Sequence, residues 1–511
     1  MAVGAVAPSG RGREFDGRIT FAVCMTCVVA ATGGLIFGYD IGISGGVTTM
    51  EPFLQSFFPF VLKQMSMAKA RDGYCMFNSQ LLTAFTSSIF IAGLAASFGA
   101  GKVTRAFGRR ASMLFGGIAF LLGSFISAGA IHIAMLIVGR LLLGFGVGFI
   151  NQSAPVYISE MAPSQWRGAF VMGFQLCVTI GVIVASVVNY YVAQLRIAGW
   201  RLSLGIGAVP AIILVTCSLF IPDTASSLMQ RGRVQDARTA LQRVRGPDVD
   251  IDAEIQALAE EGKKFQAAEK PFRNMLSRRY RPQLVMSIAI PFFQQLSGVN
   301  IIAFYSPVLL QSVGLENGSA LLGAVVLGLV SLVAVFISSY AVDRYGRRIL
   351  FIEGGLQMMF SYAAIACVLG LSTARSGTSA LTKNQATLVL IFMCSFSASF
   401  GWSWGTLSWV IPSEIFPLEI RPAGQSISVA INFGTTFILA QLFLAMLCNF
   451  KYWIFVFYVV WIMIMTIFIA VFLPETKGLP LEDVNKVWAQ HWYWKRFVTP
   501  EQLGPSDTAK K

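Results

Sequence analysis

The sequence predicts an all-α membrane protein: twelve transmembrane helices in two six-helix halves, joined by a helical linker. Three observations carry this. The 511 residues are 55% hydrophobic and 13% charged, where a soluble chain carries roughly a quarter charged. Twelve apolar runs are long enough to cross a bilayer, which takes about 20 residues each. Three short charged motifs recur in the same order in both halves.

The runs lie near 19–45, 82–101, 112–131, 133–154, 168–193 and 202–221, then 282–311, 319–341, 349–372, 385–413, 423–447 and 452–473. They divide the chain into an N-terminal segment 1–18, a first half 19–221, a linker 222–281, a second half 282–473 and a tail 474–511. The linker pattern predicts short amphipathic helices over Val234 to Val244 and Asp252 to Phe265. The first run is too long for a cleavable signal and is expected to act as its own insertion signal.

A net charge of +14 invites a nucleic-acid reading. The basic residues instead fall between apolar runs: Lys102, Arg105, Arg109 and Arg110 after span 2, Arg344, Arg347 and Arg348 after span 8, and a dozen in the linker. Lys and Arg concentrate in cytoplasmic loops. Both termini are therefore expected in the cytoplasm, and the loop 46–81 outside. The two histidines, His132 and His491, do not cluster with cysteines, so neither a zinc site nor a histidine-based catalytic triad is expected.

The repeats run as follows. Arg105 to Arg110 (RAFGRR) matches Asp343 to Arg348 (DRYGRR). Glu160 precedes Arg167 by seven residues, and Glu414 precedes Arg421 by seven. Pro222-Asp223-Thr224 closes span 6 and Pro474-Glu475-Thr476 closes span 12. Three pairs in order argue for internal duplication, and duplicated halves imply alternating access around a site between them. Arg105, Glu160, Arg167, Asp343, Arg344, Glu414 and Arg421 are expected to form salt bridges that close the cytoplasmic gate.

Two ionisable residues within spans stand out: Asp40 in span 1 and Arg140 in span 4. Neither has a charged partner in its own helix, so they are expected to pair with each other. Intramembrane charges are costly and mark function. Burial and a neighbouring cation pull a carboxyl's proton affinity in opposite directions, so movement of the arginine would switch proton binding.

A further set of polar residues in the spans is uncharged. Gln175, Thr179, Val182, Ser186 and Asn189 recur at helical spacing in span 5; Gln294, Gln295 and Asn300 lie in span 7; Gly405 and Trp409 lie in span 10; Asn432 lies in span 11. Amides plus aromatic faces suit a neutral polyol. Asn189 reads better as inter-helix glue. Gln294, Gln295 and Asn300 share no face of a straight helix, so Gly298 is expected to break span 7.

These segments resemble the sugar porter family of the major facilitator superfamily, and most closely the plant sugar transport proteins. The segments are GGLIFGYDIGISGG (33–46), GRLLLGFGVG (139–148), PVYISEMAPSQWR (155–167), PFFQQLSGVN (291–300), DRYGRR (343–348), PSEIFPLEIR (412–421) and PETKG (474–478). The resemblance spans about residues 18–497. It implies a proton-coupled hexose symporter with the major facilitator fold, in which Asp40 accepts the proton and Arg140 is its partner. Gln175, Gln294, Gln295, Asn300, Trp409 and Asn432 match sugar contacts, with Phe37 and Val182 beside the sugar. Ser331 departs from the family's usual Asn, Thr406 and Ser408 from its Pro and Gly, and Ala225 from its Pro.

Cys75 in the 46–81 loop and Cys448 at the outer end of span 11 are the thiols best placed to meet an oxidising exterior, and a disulfide between them is expected. The resemblance supports it and makes that loop a lid over the sugar site. The expected partners are a monosaccharide such as glucose, a proton and membrane lipid, for a monomer at the plasma membrane needing no cofactor and acting on no nucleic acid. Asp40 argues against a passive uniporter; polyol and disaccharide carriers remain alternatives. A signalling receptor would carry long cytoplasmic tails, and an enzyme would need a nucleophile and base.

Overall fold

The computed structural model describes residues 20–68, 73–162, 167–195, 198–245, 251–252, 254–256, 258–259, 271–312, 315–376, 381–416, 420–477 and 484–498. The side chains of Arg167, Asp343, Glu414 and Arg421 fall outside this description. The described residues are mostly helical, with short turns between the helices and no strand among them.

The first half comprises α1 (Phe21–Val47), α2 (Glu51–Phe57), α3 (Pro59–Ala68), α4 (Gln80–Phe107), α5 (Arg109–Ala128), α6 (Ile133–Met161), α7 (Arg167–Val192), α8 (Gly199–Ile206) and α9 (Ala208–Ser218). The linker supplies α10 (Ala225–Gln230), α11 (Val234–Arg245) and α12 (Pro271–Met275). The second half comprises α13 (Arg281–Leu296), α14 (Val299–Ser312), α15 (Asn317–Tyr345), α16 (Arg347–Ser376), α17 (Lys383–Trp402), α18 (Trp404–Ile415), α19 (Arg421–Phe450) and α20 (Trp453–Phe472); α21 (Val484–Gln490) follows in the tail.

Among the described residues eleven segments are apolar and long enough to span a membrane, two of them, Gly199–Ser218 and Lys383–Pro412, each built from two consecutive helices. The twelfth is span 7, which Gly298 divides into α13 and α14, of 16 and 14 residues. Gly298 holds φ +84°, a conformation that costs other residues strain. A Cβ there would lie 2.9 Å from the Tyr458 ring. The break expected from the polar pattern is therefore present. Span 10 carries a break that was not expected: Ser403 separates α17 from α18. The Thr406 hydroxyl donates to the Gly401 carbonyl at 2.9 Å across it, filling an acceptor that the interruption leaves open.

The loop 46–81 folds into α2, α3 and a 3-10 turn, Gly73–Cys75. Phe53 of α2 packs on Phe85 of α4 and on Trp200 of α8, with ring centroids 5.2 and 5.8 Å apart. The disulfide joins Cys75 to Cys448 across 373 residues. On this disulfide side the two halves touch directly. The Thr86 and Tyr305 hydroxyls share a 2.6 Å bond, and Ser87 donates to Gln441 at 2.6 Å. Gly45 lies so close to the Phe304 carbonyl that no Cβ would fit between α1 and α14.

On the opposite, linker side, α10 and α11 bury Leu228, Met229, Ala237, Ala240 and Leu241 in a small core of their own. Arg245 pairs with Glu254 at 2.9 Å, and the Thr20 hydroxyl donates to the Val244 carbonyl at 2.6 Å, tying the linker to α1. The second expected linker helix is helical at Asp252, 254–256 and 258–259; the rest of it lies outside the described residues.

The duplication is visible in packing. Gly108 (φ +99°) and Gly346 (φ +91°) end α4 and α15. The next two backbone N–H groups, of Arg109 and Arg110, donate to Asp223 at 3.2 and 3.3 Å. Those of Arg347 and Arg348 donate to Glu475 at 2.9 and 3.1 Å. In each half a carboxylate from the end of the sixth span sits on the N-terminus of the third span's helix, where orphan N–H groups and the helix dipole favour it. Two of the three repeated motifs are thus partners in one structural unit.

Candidate functional site

Asp40 lies in α1, where glycines at 38 and 42 bring the helix backbone against α7. Arg140 reaches it from α6. Nη1 donates to Asp40 Oδ1 at 2.7 Å, and Nη2 donates to the Ser44 hydroxyl at 3.1 Å. Ser44 donates in turn to the Asp40 carbonyl at 2.8 Å. Asp40 is 4% exposed and Arg140 fully buried. The guanidinium also stacks 4.1 Å from the Phe85 ring, the ring that Phe53 of α2 covers. The folded 46–81 segment is therefore two rings from the ion pair. Ser44 and Phe85 carry no charge, and no spacing rule singles them out in the sequence.

A second polar cluster forms around the break in span 7. Asn432 donates to Gln294 Oε1 at 2.9 Å, and Gln294 Nε2 donates to the carbonyls of Trp404 and Gly405 at 3.2 and 3.5 Å. Asn300 donates to Gln295 Oε1 at 3.1 Å across Gly298. The break thus leaves two adjacent polar groups, Gln294 with Asn432 and the Trp404 and Gly405 backbone, and Gln295 with Asn300. Ser331 shares a 2.6 Å bond with Ser397.

Trp409, in the later part of span 10 beyond its break, is 41% exposed. Phe37, Gln175 and Val182 in the first half are half-buried. Phe37 meets Phe433 edge-on at 6.4 Å, which places it at the junction of the halves. Asn189 donates to the Gly42 carbonyl at 3.1 Å and accepts from Ser203, the role of inter-helix glue.

Of the charged repeat residues, Glu160 pairs with Arg109 at 3.0 Å and accepts from Thr224 at 2.5 Å. Asp223 also pairs with Arg231. These contacts stay within the first half and its linker. Arg105 is exposed at the end of α4. Arg344 donates to the Tyr340 hydroxyl at 2.5 Å. The expected contacts of Arg167, Asp343, Glu414 and Arg421 lie outside the described side chains. Arg109 and Glu475 were not singled out as site residues, although both fall inside the repeated motifs.

The chain matches the family described as "Sugar (and other) transporter" over residues 26–488. It is 50% identical to Sugar transport protein MST3 of Oryza sativa subsp. japonica, over 98% of this chain and 96% of that one. It is 49% identical to Sugar transport protein 10 of Arabidopsis thaliana, over 98% of both, and 53% identical to Sugar transport protein 5 of the same plant, over 95% and 97%. Its fold is shared with the major facilitator proton:xylose symporter XylE, solved with 6-bromo-6-deoxy-D-glucose: TM-score 0.75 over 92% of this chain and 100% of that one, at 24% identity. With the curated relatives aligned end to end and a helical bundle of the major facilitator fold, this chain belongs to the sugar transporter family, and it is not an enzyme.

Proposed function

We propose that this chain is a proton-coupled monosaccharide symporter that imports hexose across the plasma membrane by alternating access. The observation that carries it is the buried Asp40–Arg140 pair. A sugar carrier with no ion to couple has no use for a carboxylate in a membrane interior, where ionisable groups are costly. Gln294, Gln295, Asn300, Asn432, Gln175, Trp409, Phe37, Val182, Gly405 and Ser331 line the sugar path. Amides and hydroxyls there match sugar hydroxyls, and the aromatic faces match sugar C–H faces.

Asp40 takes a proton in the outward-facing state. Arg140 then loses its counter-charge and is held by Ser44 and Phe85 alone. With the carboxyl neutral, the pair no longer resists rearrangement of α1 against α6. The disulfide-side contacts, read as extracellular, then close. The structure has those contacts made, which suits an inward-facing state. When the carrier faces outward, Arg105, Glu160, Arg167, Asp343, Arg344, Glu414 and Arg421 form the cytoplasmic closure. Solvated pairs are each worth up to about 1 kcal/mol, so the closure biases rather than locks the equilibrium. A potential of 100 mV supplies about 2.3 kcal/mol per proton, enough for roughly 40-fold accumulation of a neutral solute.

The test is uptake of labelled glucose by a yeast strain lacking hexose transport. Accumulation above the external concentration, abolished by an uncoupler, is expected. Uptake that merely equilibrates and ignores the uncoupler would identify a uniporter.

A further inference from the structure

Ser408 has a buried hydroxyl without a partner. It is 4% exposed and its oxygen touches no donor or acceptor. A helical serine ordinarily donates to the carbonyl three or four residues back. Serines in this chain do so repeatedly: Ser153 to Phe149, Ser399 to Phe396 and Ser403 to Ser399, at 2.7, 2.8 and 2.5 Å. For Ser408 those carbonyls are Trp404 and Gly405. Each already accepts the helical N–H four residues on, from Ser408 and Trp409. Each also lies within reach of Gln294 Nε2, at 3.2 and 3.5 Å. A carbonyl has two lone pairs, so both acceptors are taken. The amide that the functional reading places in the sugar site has displaced the serine from its ordinary bond.

We propose that Ser408 is a positioning residue for sugar binding, exchanging hydrogen bonds with Gln294. When Gln294 Nε2 turns to a sugar hydroxyl, it releases the Trp404 and Gly405 carbonyls. The Ser408 hydroxyl then donates to them. The empty site holds an unmade bond, and occupancy by a neutral polyol makes it. Ser408 therefore strengthens binding without touching the sugar. The exchange is confined to chains with a hydroxyl at this position, and Ser408 is one of this sequence's departures from the plant pattern. The first turn of α18, next to the break at Ser403, senses whether Gln294 is engaged.

This inference rests on the sugar-transport reading, and the experiment separates the two. Labelled-glucose uptake and equilibrium binding are measured on the full-length wild type, Ser408→Ala, Ser408→Thr, Gln294→Met and Gln294→Met with Ser408→Ala. Ser408→Ala is expected to raise KM and Kd about five-fold, equivalent to about 1 kcal/mol, with Vmax and uncoupler sensitivity retained. Ser408→Thr, which keeps the hydroxyl, is expected to restore wild-type KM. In the Gln294→Met background the carbonyls are free whether or not sugar is bound, so adding Ser408→Ala should change Kd no further. An unshifted KM in Ser408→Ala, or equal shifts in both backgrounds, overturns the exchange alone. A wild type that takes up no monosaccharide overturns the functional reading and the exchange together.

Discussion

Asp223 and Glu475 occupy equivalent places in the two halves, and each does more than its charge suggests. Asp223 accepts from the N–H groups of Arg109, Arg110 and Thr224 and from the Ser227 hydroxyl. Glu475 accepts from the N–H groups of Arg347, Arg348, Thr476 and Lys477. Asp223→Ala or Glu475→Ala leaves a helix start uncapped, which costs about 1–2 kcal/mol. Each is expected to lower the thermal midpoint of the detergent-solubilised protein. A midpoint unchanged in both variants would show that the caps are dispensable. At this scale the sequence was most legible where a charge had no business being: Asp40 and Arg140 could be paired because spans contain so few ionisable groups. Ser44, Phe85 and Arg109 were not, because a serine or phenylalanine in an apolar run and an arginine in a loop are ordinary there.

The helices themselves follow from apolar run length, and their breaks are legible only where the polar pattern demands one. Gly298 could be found because three amides that share no face needed it. Ser403 could not: Gly401 and Gly405 flank it, but no pattern of polar side chains called for a break there. Gly298→Ala places a Cβ at φ +84° and 2.9 Å from Tyr458. It is expected to cost about 1–3 kcal/mol of stability and to raise the sugar KM by pulling Asn300 from Gln295. A variant with wild-type melting and KM would mean that the break is not needed. The tail element has its own pH dependence. His491 Nε2 meets the Val471 carbonyl at 3.1 Å, while Nδ1 accepts from the Tyr493 and Trp494 N–H groups at 3.2 and 3.4 Å. Only a neutral ring can accept at Nδ1. Desolvation, aided by Arg348, holds its pKa below the ordinary 6.5 against the opposing Val471 bond. A depressed histidine favours the docked tail above the ordinary value, and that contribution is lost as pH falls through the lower, folded value. Hydrogen exchange over 484–498, corrected for intrinsic rate, should accelerate as pH falls below the ordinary histidine range, and not further in His491→Ala. Exchange that ignores pH would exclude this histidine as the cause.

For the whole molecule, twelve spans in two halves were legible because membrane helices must satisfy their backbone internally and so read as long apolar runs. The disulfide followed from which thiols the distribution of Lys and Arg places on the side opposite the linker. What the sequence could not show is that the halves meet on the disulfide side, through Thr86, Tyr305, Ser87 and Gln441. Such contacts are set by rigid-body placement of one half on the other, which no local pattern encodes. The proposed division of labour is that the Asp40–Arg140 pair of the first half handles the proton while the amides of the second half hold most of the sugar. Sugar-evoked current under voltage clamp tests this most directly, comparing wild type with Asp40→Asn. The account predicts an inward current on adding glucose, larger at acid external pH, that vanishes in Asp40→Asn while equilibrium glucose binding persists. A glucose-evoked current of wild-type size and pH dependence in Asp40→Asn would contradict it.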